Sequence, residues 1–349
     1  MIRQGLSLKS YARKIVRYFN RLNNLIRYAK YSRPGLWKTS NKVYSTSIYD
    51  SSHTVYQLKE FDPSPLRISF IYSLLSFVIR GRIYGDVIYI SRTEGIKIFD
   101  LNNKVIYYNL NQNRNYKDVG GYRFFDFFSL PKNGKNPAGF EWQEYINGSI
   151  LLKSKKSIQY KSITNIIERY SLYSKGHSIG NSKVQIKEAF DFMVSKASKK
   201  NKSTLEGYRE NVISLATYYK SVHGHGDFNG ANIIMSGGEI YVIDNSSFGV
   251  IVPSLYDIVN LGLNEVYEGR SRHIIEFIRN YIEDESNTNV LNRFFTCNVK
   301  RFSNLFDLLT IINISIRCHP HMSNTLNTKC YRNHIVNRRI DKFREMARA

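Results

Sequence analysis

Cysteine, acidic residues and long apolar runs are all scarce in this chain of 349 residues. Three cysteines cannot form the disulfide framework of a small secreted domain, which favours a reducing compartment. The longest apolar stretch, ISFIYSLLSFVI over 68–79, contains serines and is too short to span a bilayer. The chain also opens without the charged, apolar and small-residue regions of a secretory signal. These absences predict a cytoplasmic protein, either soluble or attached peripherally at the inner face of a membrane.

The shortage of acidic residues leaves the chain strongly basic. Lys and Arg total 51 and Asp and Glu total 28, which gives a formal net charge of +23. Such an excess favours a polyanionic partner, either an anionic membrane surface, a phosphorylated ligand or nucleic acid. Tyrosines and basic residues interleave, as they do on nucleic-acid-binding surfaces, but no nucleic-acid recognition motif is present. A basic nucleic-acid-binding protein is therefore the third of three functional hypotheses.

The amino terminus is the most one-sided part of this charge distribution. Residues 1–34 contain nine Lys or Arg and no Asp or Glu, and apolar residues recur there at three- and four-residue steps. This spacing predicts a basic amphipathic helix that ends at Pro34-Gly35. Such a helix can lie on an anionic membrane, or it can pack its apolar stripe on the rest of the protein. Residues 1–65 are assigned to this helix and a polar connection.

The remaining chain divides into a β-rich part and a helical part. Short β-branched and aromatic runs over 87–90, 96–99 and 105–108 predict an antiparallel meander, and 140–146 is a further candidate strand. Helical spacing dominates from residue 153, although SKASKKNKS over 195–203 is typical of a solvated link. The expected fold is α+β, with a small antiparallel β lobe over 66–147 and a larger, mostly helical lobe over 148–349.

A predicted hairpin interrupts the helical part within HGHGDFNGANIIMSGGEIYVIDNSSFG, residues 223–249. Its strands are NIIM and EIYVI, and its turn is Ser-Gly-Gly. The open ends of the hairpin bring Asn232 beside Asp244, and Asp227 lies in the loop that enters the first strand. Oxygen ligands of this kind suit Mg²⁺, and phosphoryl transfer requires a carboxylate near an in-line hydroxyl. Asp227 is therefore the candidate catalytic residue, and Asn232 and Asp244 are the candidate metal ligands.

HGDFNGAN over 225–232 resembles the H-G-D-x-x-x-x-N catalytic loop of the aminoglycoside phosphotransferase and choline kinase-like enzymes. Asp244, which follows Val242-Ile243, is similar to the metal-binding Asp of these enzymes. The segment PSLYD over 253–257 is similar to their P-x-x-Y-D segment. The resemblance implies a two-lobed protein kinase-like fold that uses ATP and Mg²⁺ to phosphorylate a small alcohol. It also implies that His225 and Asp257 are structural supports of the catalytic loop.

Two features argue against a protein kinase. Gly226 stands where protein kinases carry an Arg, and only thirteen positions separate Asp244 from Asp257, which leaves no room for an activation segment. A small-molecule, sugar or lipid-linked acceptor is expected instead, and a surface-polysaccharide or lipopolysaccharide precursor would fit. A cationic aminoglycoside is less favoured, because it would require an acidic pocket and this chain is short of acids.

The nucleotide-binding residues are less clearly marked, since no glycine-rich phosphate loop is present. Lys97 is the first candidate for the phosphate-binding lysine and Lys104 the second, although either could be a solvated strand residue. Glu144 and Ile146 belong to a segment that resembles the adenine-binding hinge, or that simply ends a strand. No Glu lies between residues 104 and 130 to pair with the lysine. A pseudokinase or binding module with the same fold is therefore the alternative to an active enzyme.

Overall fold

The computed structural model describes residues 37–39, 61–65, 87–90, 96–100, 103–108, 121–135, 141–269, 272–321 and 332–347. The helix predicted over residues 1–34 lies outside these residues. The chain divides into two compact units, and in their described residues the first consists of strands and turns and the second mainly of helices. The first comprises Met1–Asn115, Pro131–Ile150 and Ile234–Gly238, and the second comprises Tyr116–Leu130, Leu151–Ile233 and Glu239–Ala349.

An antiparallel five-stranded sheet dominates the described part of the first unit. Its order is β3-β4-β5-β7-β6, and a separate pair is formed by β1 and β2. The predicted meander is confirmed, whereas the strand predicted over 140–146 is shorter and ends at Glu144. The strands are β1 Trp37–Thr39, β2 Phe61–Pro65, β3 Val87–Ile90, β4 Ile96–Asp100, β5 Val105–Tyr108, β6 Asn133–Lys135 and β7 Glu141–Glu144.

The predicted hairpin is formed by β10, Ile233–Ser236, and β11, Glu239–Val242. Together with β8, Ser149–Ile150, they make a sheet in the order β11-β10-β8. The two glycines of the hairpin turn both have positive φ, at 58° and 85°, a backbone region that glycine enters without steric cost. The double glycine therefore explains why the chain reverses at this point.

A second strand pair encloses the catalytic-loop motif and was not predicted from the sequence. β9, Ser221–Gly224, precedes the motif, and β12, Val250–Pro253, follows it and pairs with β9 in antiparallel register. Gly224 allows a close approach of the backbone. A Cβ atom at this position would lie 2.3 Å from Val252 Cγ2 and 2.9 Å from a carboxylate oxygen of Asp257. The pair therefore holds the start and the end of the motif together.

Helices make up most of the second unit. One segment differs from the sequence-based expectation, because residues 199–203 of the predicted link are helical. The link becomes helical because the Ser198 hydroxyl accepts a hydrogen bond from the Asn201 N–H and caps α3. The helices are α1 Lys156–His177, α2 Lys183–Lys196, α3 Lys199–Glu206, α4 Arg209–Tyr218, α5 Tyr256–Tyr267, α6 His273–Glu283, α7 Thr288–Leu291, α8 Leu305–Cys318 and α9 Asn333–Ala347.

α8 is the central helix of the second unit. Every residue of α8 except Asp307 is buried, and the helix packs against α2, α5 and α9. A helix that is apolar on nearly all sides is stable only in a protein interior. Arg317, near its carboxyl end, is 7% exposed and therefore brings a positive charge into this interior.

The described residues form an α+β fold, with a small antiparallel β unit and a larger, mostly helical unit, as the sequence predicts. The position of the hairpin within the chain order also agrees with that prediction. None of the helices in the described ranges is long and apolar enough to cross a membrane.

Candidate functional site

Asp257, in the first turn of α5, holds the backbone of the loop that carries Asp227. Its Oδ2 atom accepts hydrogen bonds from the His225 N–H and the Tyr170 hydroxyl, each at 2.7 Å, and its Oδ1 atom accepts from the Gly226 N–H at 3.1 Å. Burial of the side chain raises the pKa of Asp257, and its interactions with His225 and these donors oppose the rise. The geometry is the one that the predicted supporting role of Asp257 requires.

His225 contributes its backbone and its ring to the loop in different ways. Its N–H binds Asp257, while its buried ring contacts the rings of Phe228 and Phe248, with centroid distances of 5.8 and 6.4 Å. Neither ring nitrogen has a hydrogen-bond partner in the part of the chain that the structure describes. Gly226, which follows, has a φ of 78° and allows the loop to turn immediately before Asp227. The ring therefore supports the loop by packing.

Asp227 is partly buried at this turn. Burial raises the pKa of Asp227, the positive charge of Arg317 and the interaction with His225 oppose the rise, and the negative charge of Asp244 adds to it. The two carboxylates, on the loop and at the end of the hairpin, are thus near enough to influence each other. A carboxylate with a raised pKa accepts a proton more readily than an ordinary Asp at neutral pH.

Asn232 joins the loop to the hairpin. Its side-chain Nδ2 donates to the Asp227 carbonyl oxygen at 3.1 Å, and its own carbonyl accepts from the Ile243 N–H at 2.9 Å. Because a carbonyl oxygen only accepts, the Nδ2 atom must face Asp227 and the Oδ1 atom must face away from it. The bond to Ile243 fixes Asn232 beside the residue that precedes Asp244. The structure therefore brings Asp227, Asn232 and Asp244 together, as the hairpin geometry predicts.

Asp244 is exposed and adopts the left-handed conformation, with φ 59° and ψ 55°. Residues other than glycine are uncommon in this region and often occur at functional sites. A carboxylate from Asp244 and the amide oxygen of Asn232 form a donor set that suits Mg²⁺ bound together with waters and phosphate oxygens. Among the described residues, no group of three or more His, Cys, Asp or Glu side chains could hold a metal ion.

The candidate nucleotide-binding residues lie in the first unit, whereas the catalytic-loop residues lie in the second. Lys97 lies in β4, and Lys104 is exposed in the turn between β4 and β5. The Glu144 N–H donates to the Lys132 carbonyl at 2.7 Å, and its carboxylate accepts from the Lys132 N–H at 3.2 Å. Ile146 is buried. The roles of Lys97, Glu144 and Ile146 in nucleotide binding remain predictions.

Three residues that contact or face the loop belong to no motif in the sequence: Tyr170, Asn260 and Arg317. Asn260 Nδ2 donates to the Phe228 carbonyl at 3.4 Å, and Asn260 Oδ1 accepts from Arg317 Nη1 at 2.8 Å. Two weak signals could have found this pair. Asn260 lies one helical turn after Asp257, and Arg317 is a lone basic residue in the apolar run LLTIINISIRC.

No protein-family model and no curated protein matches the chain. Among solved structures, the chain is similar to a choline kinase from Streptococcus pneumoniae, at 12% identity and a TM-score of 0.42, over 72% of this chain and 89% of that one. It is also similar to a choline kinase from Cryptosporidium parvum, at 12% identity and a TM-score of 0.38, over 73% and 86% of the two chains. An ADP-bound aminoglycoside phosphotransferase matches at 13% identity and a TM-score of 0.33, over 72% and 90%. These proteins belong to the group that the motif over 225–257 resembles.

Proposed function

We propose that the protein is an ATP- and Mg²⁺-dependent phosphotransferase that acts on a hydroxyl group of a small molecule, a sugar or a lipid-linked acceptor. The observation that carries the proposal is the cluster of Asp227 and Asn232, on a loop whose backbone is held by buried Asp257, with Asp244 at the end of the hairpin. Phosphoryl transfer depends mainly on positioning and charge, so a braced loop with these side chains supports that chemistry.

Asp227 is the proposed catalytic residue. Its carboxylate orients the acceptor hydroxyl and takes its proton late, because the transition state of phosphoryl transfer is loose. The acceptor oxygen forms a bond to the γ-phosphorus, the bond from that phosphorus to the bridging oxygen breaks, and ADP leaves with the electron pair. The raised pKa of Asp227, which burial causes, supports its assignment as the base.

Asn232, through Oδ1, and Asp244 would hold Mg²⁺, which when bound neutralises phosphate charge. The hydrogen bond from Asn232 Nδ2 to the Asp227 carbonyl supports this assignment, because it leaves Oδ1 as the amide atom turned away from the loop. In the first unit, Lys97 is the proposed phosphate contact, and the backbone of Glu144 and Ile146 the proposed adenine contact.

The acceptor is proposed to be neutral or anionic rather than cationic. The net charge of +23 supports this class, because a basic protein attracts phosphorylated or carboxylated molecules and repels cationic drugs. A lipid-linked saccharide, such as a surface-polysaccharide or lipopolysaccharide precursor, would combine such an acceptor with an anionic membrane surface. Peripheral contact with that surface is part of the proposal.

The test is ADP release from Mg²⁺ and ATP in the presence of sugars, choline-like alcohols and lipid-linked saccharides, with the phosphorylated product identified by mass. Asp227→Asn keeps the size of the side chain and removes the proton acceptor. We expect this variant to bind ATP nearly as the wild type does and to transfer phosphate at least about 100-fold more slowly. Asp126→Asn, at an exposed residue that pairs with Arg123, is the control and should retain full activity.

A wild type that forms no phosphorylated product with any acceptor would overturn the enzyme assignment. If that wild type still bound ATP, the pseudokinase would be the better description. Equal stimulation of the wild type and Asp227→Asn by one acceptor would instead show an enzyme in which Asp227 is not the base.

A further inference from the structure

α5 braces the catalytic loop at two points that are one helical turn apart. Asp257 accepts the N–H groups of His225 and Gly226, and Asn260 donates to the carbonyl of Phe228 at 3.4 Å. Asp227 lies between these two points in the chain. Its backbone is therefore held from both sides by the same helix, although only the first brace belongs to a sequence motif.

The orientation of the Asn260 amide depends on Arg317. A backbone carbonyl only accepts hydrogen bonds and a guanidinium only donates them, so an amide placed between the two has one possible orientation. Its Nδ2 atom faces Phe228, and its Oδ1 atom accepts from Arg317 Nη1 at 2.8 Å. Asn260 is fully buried and Arg317 is nearly so, which makes each unsatisfied group costly.

The positive charge of Arg317 also acts on Asp227 in the catalytic loop. A buried guanidinium is expensive unless nearby acceptors and negative charges compensate for it. Arg317 and Asp227 act on each other electrostatically, with Arg317 the strongest influence that favours the ionised carboxylate. The negative charge of Asp244 also acts on Asp227. Arg317 is thus linked to the loop both by a hydrogen-bonded chain and by charge.

We propose that Arg317, acting through Asn260, is a positioning residue for Asp227. Arg317 fixes the Asn260 amide, and Asn260 fixes the Phe228–Asn229 peptide, one residue beyond Asp227. The carboxylate of Asp227 is thereby held toward the acceptor. Neither residue touches the reacting atoms. The catalytic part of this inference rests on the proposed phosphotransferase function, whereas the mechanical part concerns the loop alone and is measured without turnover.

The mechanical part is tested by amide hydrogen exchange of residues 225–228 in the full-length protein. Arg317→Met removes the donor and the charge, and Asn260→Asp keeps an acceptor for Arg317 but turns an acceptor toward the Phe228 carbonyl. We expect exchange in the loop to become about tenfold faster in both variants, with Arg317→Lys intermediate. The control is Ser315→Ala, at a buried α8 hydroxyl that bonds to the Ile311 carbonyl and the Met193 sulfur, and it should leave exchange unchanged.

Unchanged exchange in Arg317→Met and Asn260→Asp would overturn the proposal. If Arg317→Met does not fold, Asn260→Asp decides alone, because it retains the buried charge and a partner for it. Slower folding without faster loop exchange in the native state would assign Arg317 a purely structural role.

The catalytic part is tested by a double-mutant cycle with Asp227→Asn, using the acceptor found in the panel assay or water if none is found. Arg317→Met should lower kcat by about tenfold or more, with the KM for ATP within about threefold of the wild type. In the Asp227→Asn background, Arg317→Met should cause no further loss of kcat. If Arg317→Met lowered kcat equally in the wild type and in Asp227→Asn, or changed only the KM, the proposal would be overturned. A wild type without any turnover would defeat the phosphotransferase function, while loop exchange would still decide the positioning role.

Discussion

Asp227 and Asp257 have identical side chains, but their different surroundings give them different roles. Three donors converge on Asp257, so both of its carboxylate oxygens accept hydrogen bonds within the fold. Asp227 is only partly buried and lies near a second carboxylate, Asp244. Burial raises the pKa of both groups. The first arrangement holds a backbone, and the second suits a proton acceptor.

The brace at Asp257 leads to a prediction about stability. Asp257→Asn exchanges one accepting oxygen for an NH₂ group and leaves buried donors unsatisfied, so it should destabilise the fold by roughly 2–4 kcal/mol. Tyr170→Phe removes one of the three donors and should cost about 1 kcal/mol. Denaturant unfolding of both variants checks this order. A loss in Asp257→Asn no larger than that in Tyr170→Phe would contradict the three-donor brace.

The proposed metal ligand Asp244 is tested by nucleotide binding. Asn adopts the left-handed backbone conformation readily, so Asp244→Asn removes the negative charge without the backbone strain that Ala would add. We expect calorimetric titrations with ATP to show a loss of most of the Mg²⁺-dependent gain in affinity. Asp227→Asn, the matched change on the loop, should keep that gain. Unaltered Mg²⁺ dependence in the Asp244 variant would rule out its assignment as a ligand.

At the level of secondary-structure elements, α1 and α5 converge on the loop from different positions in the chain. α1 presents two tyrosines one turn apart: Tyr170 donates to Asp257, and the Tyr173 hydroxyl donates to the His223 carbonyl at 2.9 Å. The β9–β12 pair joins the chain on either side of the loop. A loop held by two helices and a strand pair can keep catalytic side chains in a fixed geometry.

The contact between α1 and α6 contains a histidine with a defined protonation site. Gln159 Nε2 donates to the carbonyls of Leu151 and Leu152, each at 3.0 Å, so its Oε1 atom faces His273 Nε2 at 2.7 Å. Because an amide oxygen only accepts, His273 carries a proton on Nε2. Burial lowers the pKa of His273, and the positive charge of Lys156 lowers it further.

This histidine should make the stability of the protein depend on pH. A lowered pKa means that the folded state binds fewer protons than the unfolded state, whose value is about 6.5. The stability contributed by neutral His273 is then fully present above about pH 6.5 and is lost as pH falls through that value toward the lowered pKa.

Melting temperatures measured from about pH 7.5 to about pH 5 test this dependence. The wild type should lose stability toward acid pH more steeply than His273→Gln, which keeps a donor to Gln159 and does not titrate. His334→Gln, at an exposed histidine, is the control and should retain the wild-type slope. Identical slopes for the wild type and His273→Gln would contradict the assignment.

For the molecule as a whole, the dominant property is the net charge of +23. Each basic residue near an anionic bilayer contributes roughly 1 kcal/mol, and salt screens this attraction. The concentration of nine basic residues and no acidic residue in 1–34 makes that segment the proposed membrane contact.

Co-sedimentation with anionic vesicles tests this proposal. The full-length protein should bind at low salt and be released as salt rises, and deletion of residues 1–34 should remove most of the binding. A variant in which 1–34 is scrambled, so that the charge is kept and the apolar stripe is lost, should bind more weakly than the wild type. Equal binding after the deletion would remove residues 1–34 from the membrane proposal.

The sequence was sufficient for the features that arise between near neighbours in the chain. The meander follows from alternating β-branched residues, and the hairpin follows from two short strands around Gly237-Gly238, because side-chain period and turn chemistry act over a few residues. The pairing of Asn232 with the Asp244 end of the hairpin follows from the same local geometry. Sequence analysis missed the Ser198 cap of α3, because the basic run that follows Ser198 is typical of a solvated link. It also missed the β9–β12 pair, because those strands lie far apart in the chain.

The remaining parts of the candidate site depend on contacts between distant residues. Tyr170 and Asp257 are 87 positions apart, and Asn260 and Arg317 are 57 positions apart. Such contacts produce no periodic pattern in the sequence, because each residue taken alone is indistinguishable from other residues on the same face of its helix. The burial of α8 on all sides is what turns Arg317 from an ordinary basic residue into an internal charge that requires partners. Packing of α5 against α8 supplies those partners, and local sequence cannot specify which side chains will meet there.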